Sequence, residues 1–357
     1  MTARFVRRLA PALAAVLALA VAACGGGSGA TTAVPDGNGA GTLTGTVRLG
    51  MFPNVTHAPA LVGLGRGLFQ EALGPGVKLE LSYFNAGGEA IEAMFGGGID
   101  MTFIGPNPAI NGFAQSNGTA IRIVAGSTSG GAFLIVRPGI TRPADLVGAS
   151  LATPALGNTQ DVALRAWLTD QGLTYDVAGG GDVAVIPQAN PDTLRAFQAG
   201  DIDGAWVPEP WATRLIQEGG GVVLVDERDL WPGGRFVTTH LIVRTAFLEQ
   251  HPDLVEAVVR ADLAAIAFCN ESPDEAQQIV NDQIEEITGK RLPDPVIAGA
   301  WETLDFTWDP IASSLQESAD DAVTAGLLKP VDLTGIYALD ILNRLLAEGG
   351  QAPVAGL

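Results

Sequence analysis

Cysteine and histidine are almost missing from this chain, with two and three copies in 357 residues. The histidines are His57, His240 and His251, and their spacing matches no metal-ligand motif. Basic residues are also scarce. Twenty Lys and Arg stand against 39 Asp and Glu, for a net charge of −19. Such a chain lacks the clustered cations that a phosphate backbone requires, so nucleic acid is excluded as a partner. There is no Gly-x-Ser-x-Gly elbow and no Walker loop. The triplet Gly96, Gly97, Gly98 leads into a strand rather than a helix, so it is not a phosphate cradle. No cofactor and no metal is expected. With so little catalytic apparatus, binding becomes the leading class of function.

The chain has room for two domains of ordinary size. At 47% hydrophobic and 17% charged residues it can fill real cores and is not a disordered sequence. Residues 1–23 read as an export leader, with Arg4, Arg7 and Arg8 ahead of an apolar stretch at 9–20 that is too short to span a bilayer comfortably. It closes on Val21, Ala22, Ala23 and then Cys24, a run that resembles the bacterial lipobox, in which the Cys is diacylated and becomes the first mature residue. Residues 24–45 are rich in Gly, Ser, Thr and Ala and read as a flexible tether, with a reach on the order of 25 Å. With Cys24 lipidated, Cys269 has no partner, so no disulfide is expected. It lies in an apolar run and reads as a buried small hydrophobe.

What the chain does have is a long repeat. Residues 95–109 read Phe-Gly-Gly-Gly-Ile-Asp-Met-Thr-Phe-Ile-Gly-Pro-Asn-Pro-Ala, and residues 198–212 read Gln-Ala-Gly-Asp-Ile-Asp-Gly-Ala-Trp-Val-Pro-Glu-Pro-Trp-Ala. Each has a Gly-x-Ile-Asp turn, a short apolar strand and a Pro-x-Pro step into a helix, whose first turn tolerates proline. Other elements pair at the same offset of roughly one hundred residues: strand 47–51 with 150–153, helix 58–69 with 159–171, strand 78–84 with 182–186. Two lobes follow, each alternating strand and helix and each expected to carry a mainly parallel sheet. Lobe one takes residues 46–130 plus 238–357 and lobe two takes 131–237. The two crossings make a hinge. The last quarter shows few strand signals, reads as helices including one at 333–347, and is expected to pack back on lobe one.

In open α/β sheets a ligand sits beyond the carboxyl ends of the strands. Those ends here open directly into helices, whose free N–H groups and dipole attract an anion or a polar oxygen. The candidate loops are 54–57, 85–88 and 105–108 in lobe one, and 157–160, 188–190 and 208–211 in lobe two. Asn54, Thr56 and Thr159 read either as ligand contacts or as helix caps. His57 reads either as a contact or as polar surface. Asn85, Gly88, Asn158 and Gln188 stand in the same loops. Asn107, held between two prolines, favours a contact. Glu209, between its own prolines, reads as a cleft carboxylate or as a partner for the helix dipole. Trp206 and Trp211 are either core or a stacking wall for a flat ligand. The candidate loops 54–57, 85–88, 157–160 and 188–190 contain no Arg or Lys.

These passages resemble the solute-binding lipoproteins of ABC importers in the nitrate, sulfonate and taurine group, which is similar in turn to the thiamine-precursor binding proteins. The most specific stretches are residues 98–109, residues 199–203 with 208–211, and Gln316 to Asp320 with Gly326. The resemblance implies an α/β periplasmic-binding-protein fold of two lobes that closes on a small solute. It implies a pocket drawn from 54–57, 85–88, Asn107, Asn158, Thr159 and Glu209. It also implies a monomer at the extracytoplasmic face of the plasma membrane, anchored through Cys24, that delivers solute to a cognate permease and its ATPase. A binding protein for a pyrimidine or other flat heteroaromatic is a second reading. An exported dehydratase or lyase using Glu209 or His57 is a third.

Overall fold

The computed structural model describes residues 42–357. The leader, Cys24 and the tether up to residue 41 lie outside the described residues. The last part of the expected tether is not free chain: Leu43 packs against the core and the first strand already begins at Gly45.

Lobe one opens with β1 (Gly45–Met51), α1 (Ala58–Gly65), α2 (Leu68–Leu73), β2 (Val77–Tyr83), α3 (Gly87–Phe95), β3 (Met101–Ile104), α4 (Pro106–Gln115) and β4 (Ile121–Gly130). Lobe two is β5 (Ala132–Val136), β6 (Ser150–Thr153), α5 (Thr159–Asp170), β7 (Ala184–Pro187), α6 (Asn190–Ala199), β8 (Gly204–Pro208), α7 (Trp211–Gln217) and β9 (Val222–Asp226). The chain returns through β10 (Val237–Arg244) and continues as α8 (Thr245–Gln250), α9 (Pro252–Glu271), α10 (Pro273–Thr288), α11 (Asp294–Trp301), β11 (Leu304–Phe306), α12 (Ala312–Thr324) and α13 (Asp340–Glu348).

One sheet has the order β11-β4-β10-β3-β1-β2 and the other β7-β6-β8-β5-β9. Each has apolar clusters on both faces. That is why β3, β5 and β8 are buried along their whole length and read as apolar runs, broken only by Thr102 in β3.

The sheets are mixed rather than mainly parallel. In lobe one, β1 runs parallel to β2 and β3, but β10 is antiparallel to β3 and β4, and β11 to β4. In lobe two, β5 is antiparallel to both β8 and β9. The antiparallel members include the strands next to the two crossings. A chain that leaves a lobe and comes back must run the opposite way on its return.

Three further differences have local causes. The helix expected over 58–69 breaks in two because Gly67 takes a φ of 71°, a conformation that suits glycine and stops a helix. The helix expected over 333–347 forms only from Asp340. Gly335, with a φ of 83°, interrupts it, and Ile336 and Ala338 instead bond to the backbone of Ile123 beside β4. Strand β11, three residues long, left no periodic signal.

The repeated Ile-Asp proves to be a tie between strands. The Asp100 carboxylate accepts from the Arg48 backbone N–H at 3.0 Å, and its own N–H donates to the Arg48 carbonyl at 2.8 Å. In lobe two the Asp203 carboxylate accepts from the Ser150 N–H at 2.8 Å, and its N–H donates to the Ser150 carbonyl at 2.8 Å. Lobe one adds charge, since Arg48 and Arg244 both clasp Asp100. Burial would raise the Asp100 carboxyl, but those hydrogen bonds outweigh it and hold the group below the ordinary carboxylate range.

Candidate functional site

The loops after β1, β2 and β3 face those after β6, β7 and β8, and a cavity of about 60 Å³ lies between them. Lobe one contributes Asn54, Thr56, His57, Asn85 and the Gly105 backbone. Lobe two contributes Asn158, Thr159, Gln160 and Asn190, and Thr238 from the returning strand completes the wall.

Four helices start here. The residues preceding them or opening them are Ala86 for α3, Gly105 for α4, Asn158 for α5 and Ala189 for α6, and none makes a side-chain cap hydrogen bond. Asn54, Thr56 and Thr159 cap no helix with their side chains either. Helix starts of this kind keep N–H groups and the positive ends of their dipoles available to an oxygen-rich guest. No arginine or lysine lines this inner cavity. Its one ionisable side chain among the described residues is His57, which burial pushes down to about 3, so the imidazole is neutral. Its Nδ1 is buried without a partner, and the ring leans on Phe52 with centroids 4.8 Å apart. The inner cavity therefore offers directed donors and neutral dipoles but no cation.

The lobes are closed on each other. Trp211 Nε1 donates to Asn54 Oδ1 across the cleft at 3.0 Å, Gln217 Nε2 donates to the Pro295 carbonyl at 3.0 Å, and Asn111 Nδ2 reaches the Gly157 carbonyl at 3.4 Å. Backbone comes very near side chain at one point: a methyl group added to Gly105 would lie 2.6 Å from the Thr159 hydroxyl oxygen. Outside the Trp211–Asn54 contact lies a wider chamber of about 460 Å³, which shares Asn54, Asn85 and Asn190 with the inner cavity.

Several of the candidate residues stand elsewhere. Asn107 is buried in the first turn of α4 and donates from Nδ2 to the Ser318 carbonyl of α12 at 3.0 Å. Trp206 is fully buried, edge-on to Trp167, with its Nε1 donating to Glu227 at 2.7 Å. Gly88 is exposed beyond the cavity, and Gln188 does not line it. Glu209 is buried and turned to α7, where it accepts from the Thr213 hydroxyl at 2.8 Å and the Thr213 N–H at 3.1 Å. Burial raises this carboxyl to about 7, against the pull of those two hydrogen bonds. Gln160 and Asn190 also line the cavity, from the candidate loops 157–160 and 188–190 but not among the individual candidates, as does Thr238, which on the returning strand carried no signal.

A profile of the NMT1-like family matches residues 42–282. The chain is 27% identical over 190 residues to the taurine-binding periplasmic protein of Escherichia coli K12, a match spanning 53% of this chain and 57% of that protein. It is 24% identical over 310 residues to the putative aliphatic sulfonates-binding protein of Bacillus subtilis 168, covering 85% and 88% of the two. In structure it is similar to the alkanesulfonate-binding protein SsuA of Xanthomonas axonopodis pv. citri bound to MOPS, with a TM-score of 0.69 at 18% identity over 84% of this chain and all of that one. At that identity the likeness shows the fold alone.

Two substitutions test this geometry. Gly105→Ala has no backbone obstacle, since φ is −70°, but its methyl holds the lobes apart at Thr159. Solute affinity is expected to fall at least tenfold with little change in the melting temperature of the unliganded protein, and unchanged affinity would refute the closed contact. Glu209→Gln bears on stability instead. Because burial raises the folded acid, wild-type stability is full below the unfolded value and falls as pH rises through about 7. The variant should lose about 2–3 kcal/mol less than wild type between pH 5 and pH 8.5 in urea titrations, with solute affinity unaltered. Parallel pH curves would remove this role from Glu209.

Proposed function

We propose that this chain, which belongs to the NMT1-like family, is the solute-binding component of an ABC importer. It captures a small sulfonate, taurine-like or nitrate-like solute between its lobes and hands it to a cognate permease and ATPase. The observation that carries this reading is the convergence of uncapped helix starts from both lobes on one small, cation-free cavity. Such a cavity rewards a guest whose oxygens accept from several N–H groups at once. Because these donors belong to both lobes, a bound guest adds contacts that the open form lacks, and the equilibrium shifts to closure by that difference.

The same geometry argues against turnover. Acid–base chemistry would need a proton donor and acceptor facing one guest. Here Glu209 serves α7 and His57 stands alone as the neutral titratable wall. A flat heteroaromatic head fits the inner cavity less well, since that cavity is only about 60 Å³, Trp206 is in the core, and Trp211 does not line it.

The chain acts on the outer side of the plasma membrane. We read it as a monomer anchored there by diacylated Cys24 through the segment that follows. Among the described residues no helix is long and apolar enough to cross a membrane.

Thermal unfolding over a panel of taurine, alkanesulfonates and nitrate tests the binding reading. A true solute at a hundredfold excess over its dissociation constant should add about 2.7 kcal/mol of stability. Silence from the whole panel would sink the proposal. For the anchor, full-length protein expressed in a bacterial host should take up labelled fatty acid and sediment with membranes. Cys24→Ala should be released in soluble form, and membrane retention of that variant would show that something else holds it.

A further inference from the structure

The outer chamber is the feature that solute capture by the inner cavity leaves unused. The two spaces differ in scale and in chemistry. A water needs about 10–15 Å³ of such space, so the inner 60 Å³ takes only a compact head group. The outer 460 Å³ falls within the range of about 300–1,000 Å³ found for pockets that hold organic ligands. Nitrate or bicarbonate would leave it empty.

Its walls come from both lobes. Phe84 of lobe one faces a wall of Leu194 and Trp211 from lobe two, which gives an apolar path leading outward from the shared Asn54 and Asn85. Arg195 and Arg214 from lobe two, and Lys290 and Arg291 from lobe one, also line the chamber. Four of the chain's 20 basic residues thus line one chamber, with Glu218 as its one acid, in a protein of net charge −19. Three of the four are already partnered: Arg214 with Glu218 at 2.7 Å while stacked on Trp211, Arg195 with Asp192, and Arg291 with Asp282 and Glu285. Lys290, exposed just after α10, has no carboxylate partner among the described residues.

Resting on the solute-binding reading, we infer that the solute is a two-ended organic anion. Its compact oxygen-rich head sits in the inner cavity, its apolar body lies along Phe84, Leu194 and Trp211, and a second acidic group meets Lys290 at the mouth. The division of labour is physical. Inside, closely fitted N–H groups discriminate shape. Outside, a cation in a half-solvated mouth adds attraction and steering. Since Lys290 belongs to lobe one and the Trp211 wall to lobe two, a ligand spanning both also favours the closed form.

Isothermal titration of the full chain with three rigid probes tests this. The probes are methanesulfonate, naphthalene-2-sulfonate and naphthalene-2,6-disulfonate, which add in turn the head, the body and the distal anion. Each step is expected to tighten binding about tenfold. The advantage of the disulfonate over the monosulfonate should shrink at least fivefold in Lys290→Ala and at high salt. Methanesulfonate binding as tightly as the naphthalene probes would overturn the role of the chamber, and an intact disulfonate advantage in Lys290→Ala would overturn the role of Lys290. Absence of binding by all three, together with silence from taurine and nitrate, would instead remove the solute-binding reading on which the inference rests.

Discussion

Everything at the cleft hangs on two carboxylates that pin the third strand of each half-sheet to its first. Asp100 holds the backbone of Arg48 and Asp203 holds that of Ser150, each by the same pair of hydrogen bonds. The pin sits at the start of β3 and just before β8, strands of four and five residues. A strand advances about 3.3 Å per residue, so a short strand fixed at one end delivers its other end to a set height. That height is where the loops after β1 and β6 also finish. The helix starts can converge because the strands beneath them are held in register. Guanidinium groups reinforce the pin in lobe one only, the lobe that also receives the C-terminal elements and carries the larger sheet.

Given that register, the charge pattern of the cleft has a consistent logic. Burying a cation beside closely packed amides would be costly without a fixed partner. Neutral dipoles bear the same desolvation at far less cost. The inner cavity accordingly uses Asn, Thr, a neutral His57 and bare helix starts, while charge is left at the mouth where water remains. The neutral bonds between lobes, Trp211 to Asn54, Gln217 to Pro295 and Asn111 to Gly157, are worth roughly 0.5–1.5 kcal/mol each, and the solvent-exposed ion pair that joins them, Arg235 to Asp309 at 2.9 Å, is worth about 0–1 kcal/mol. Contacts that weak do not lock the closed form against opening, which leaves control of the equilibrium to the guest.

The repeat made the architecture legible from sequence, because strand ends, helix starts and their offset are all written locally in Gly, Pro and apolar runs. The six cavity residues found in this way, Asn54, Thr56, His57, Asn85, Asn158 and Thr159, all sit in loops whose place follows from that pattern. Side-chain direction was not legible. The two Pro-x-Pro steps look alike in sequence, yet α4 begins within the first and α7 only after the second. Asn107 therefore falls inside a helical turn packed on α12, a partner more than two hundred residues away in sequence. Trp206 alternates into the lobe-two core because β8 is covered on both faces, and a strand buried on both sides gives no alternation from which to choose. The mixed sheets escaped for a similar reason: the direction of β5 or β10 is a property of the crossing, not of its own residues.

Glu209 brings these points together. It occupies the most exposed-looking place in the sequence, a charged residue between prolines at a strand end. In the structure it is nonetheless buried beside the hinge, where a methyl on Gly131 would lie 3.5 Å from its Cγ. The crossing there is one joint rather than two. Gly130 and Gly131 take left-handed φ values of 79° and 69°, and the returning Thr238 hydroxyl donates to the Gly130 carbonyl at 2.5 Å. A carboxyl raised to about 7 at such a joint charges the fold's stability with the cost of its own ionisation. That cost is borne whether or not a solute is present, because both acceptor oxygens are already committed to Thr213. The difference between Asn107 and Glu209 therefore does not select the guest. Each residue holds its own helix start in place, one by an amide tied to α12 and one by a carboxyl tied to α7, and neither side chain lines the cavity between the lobes.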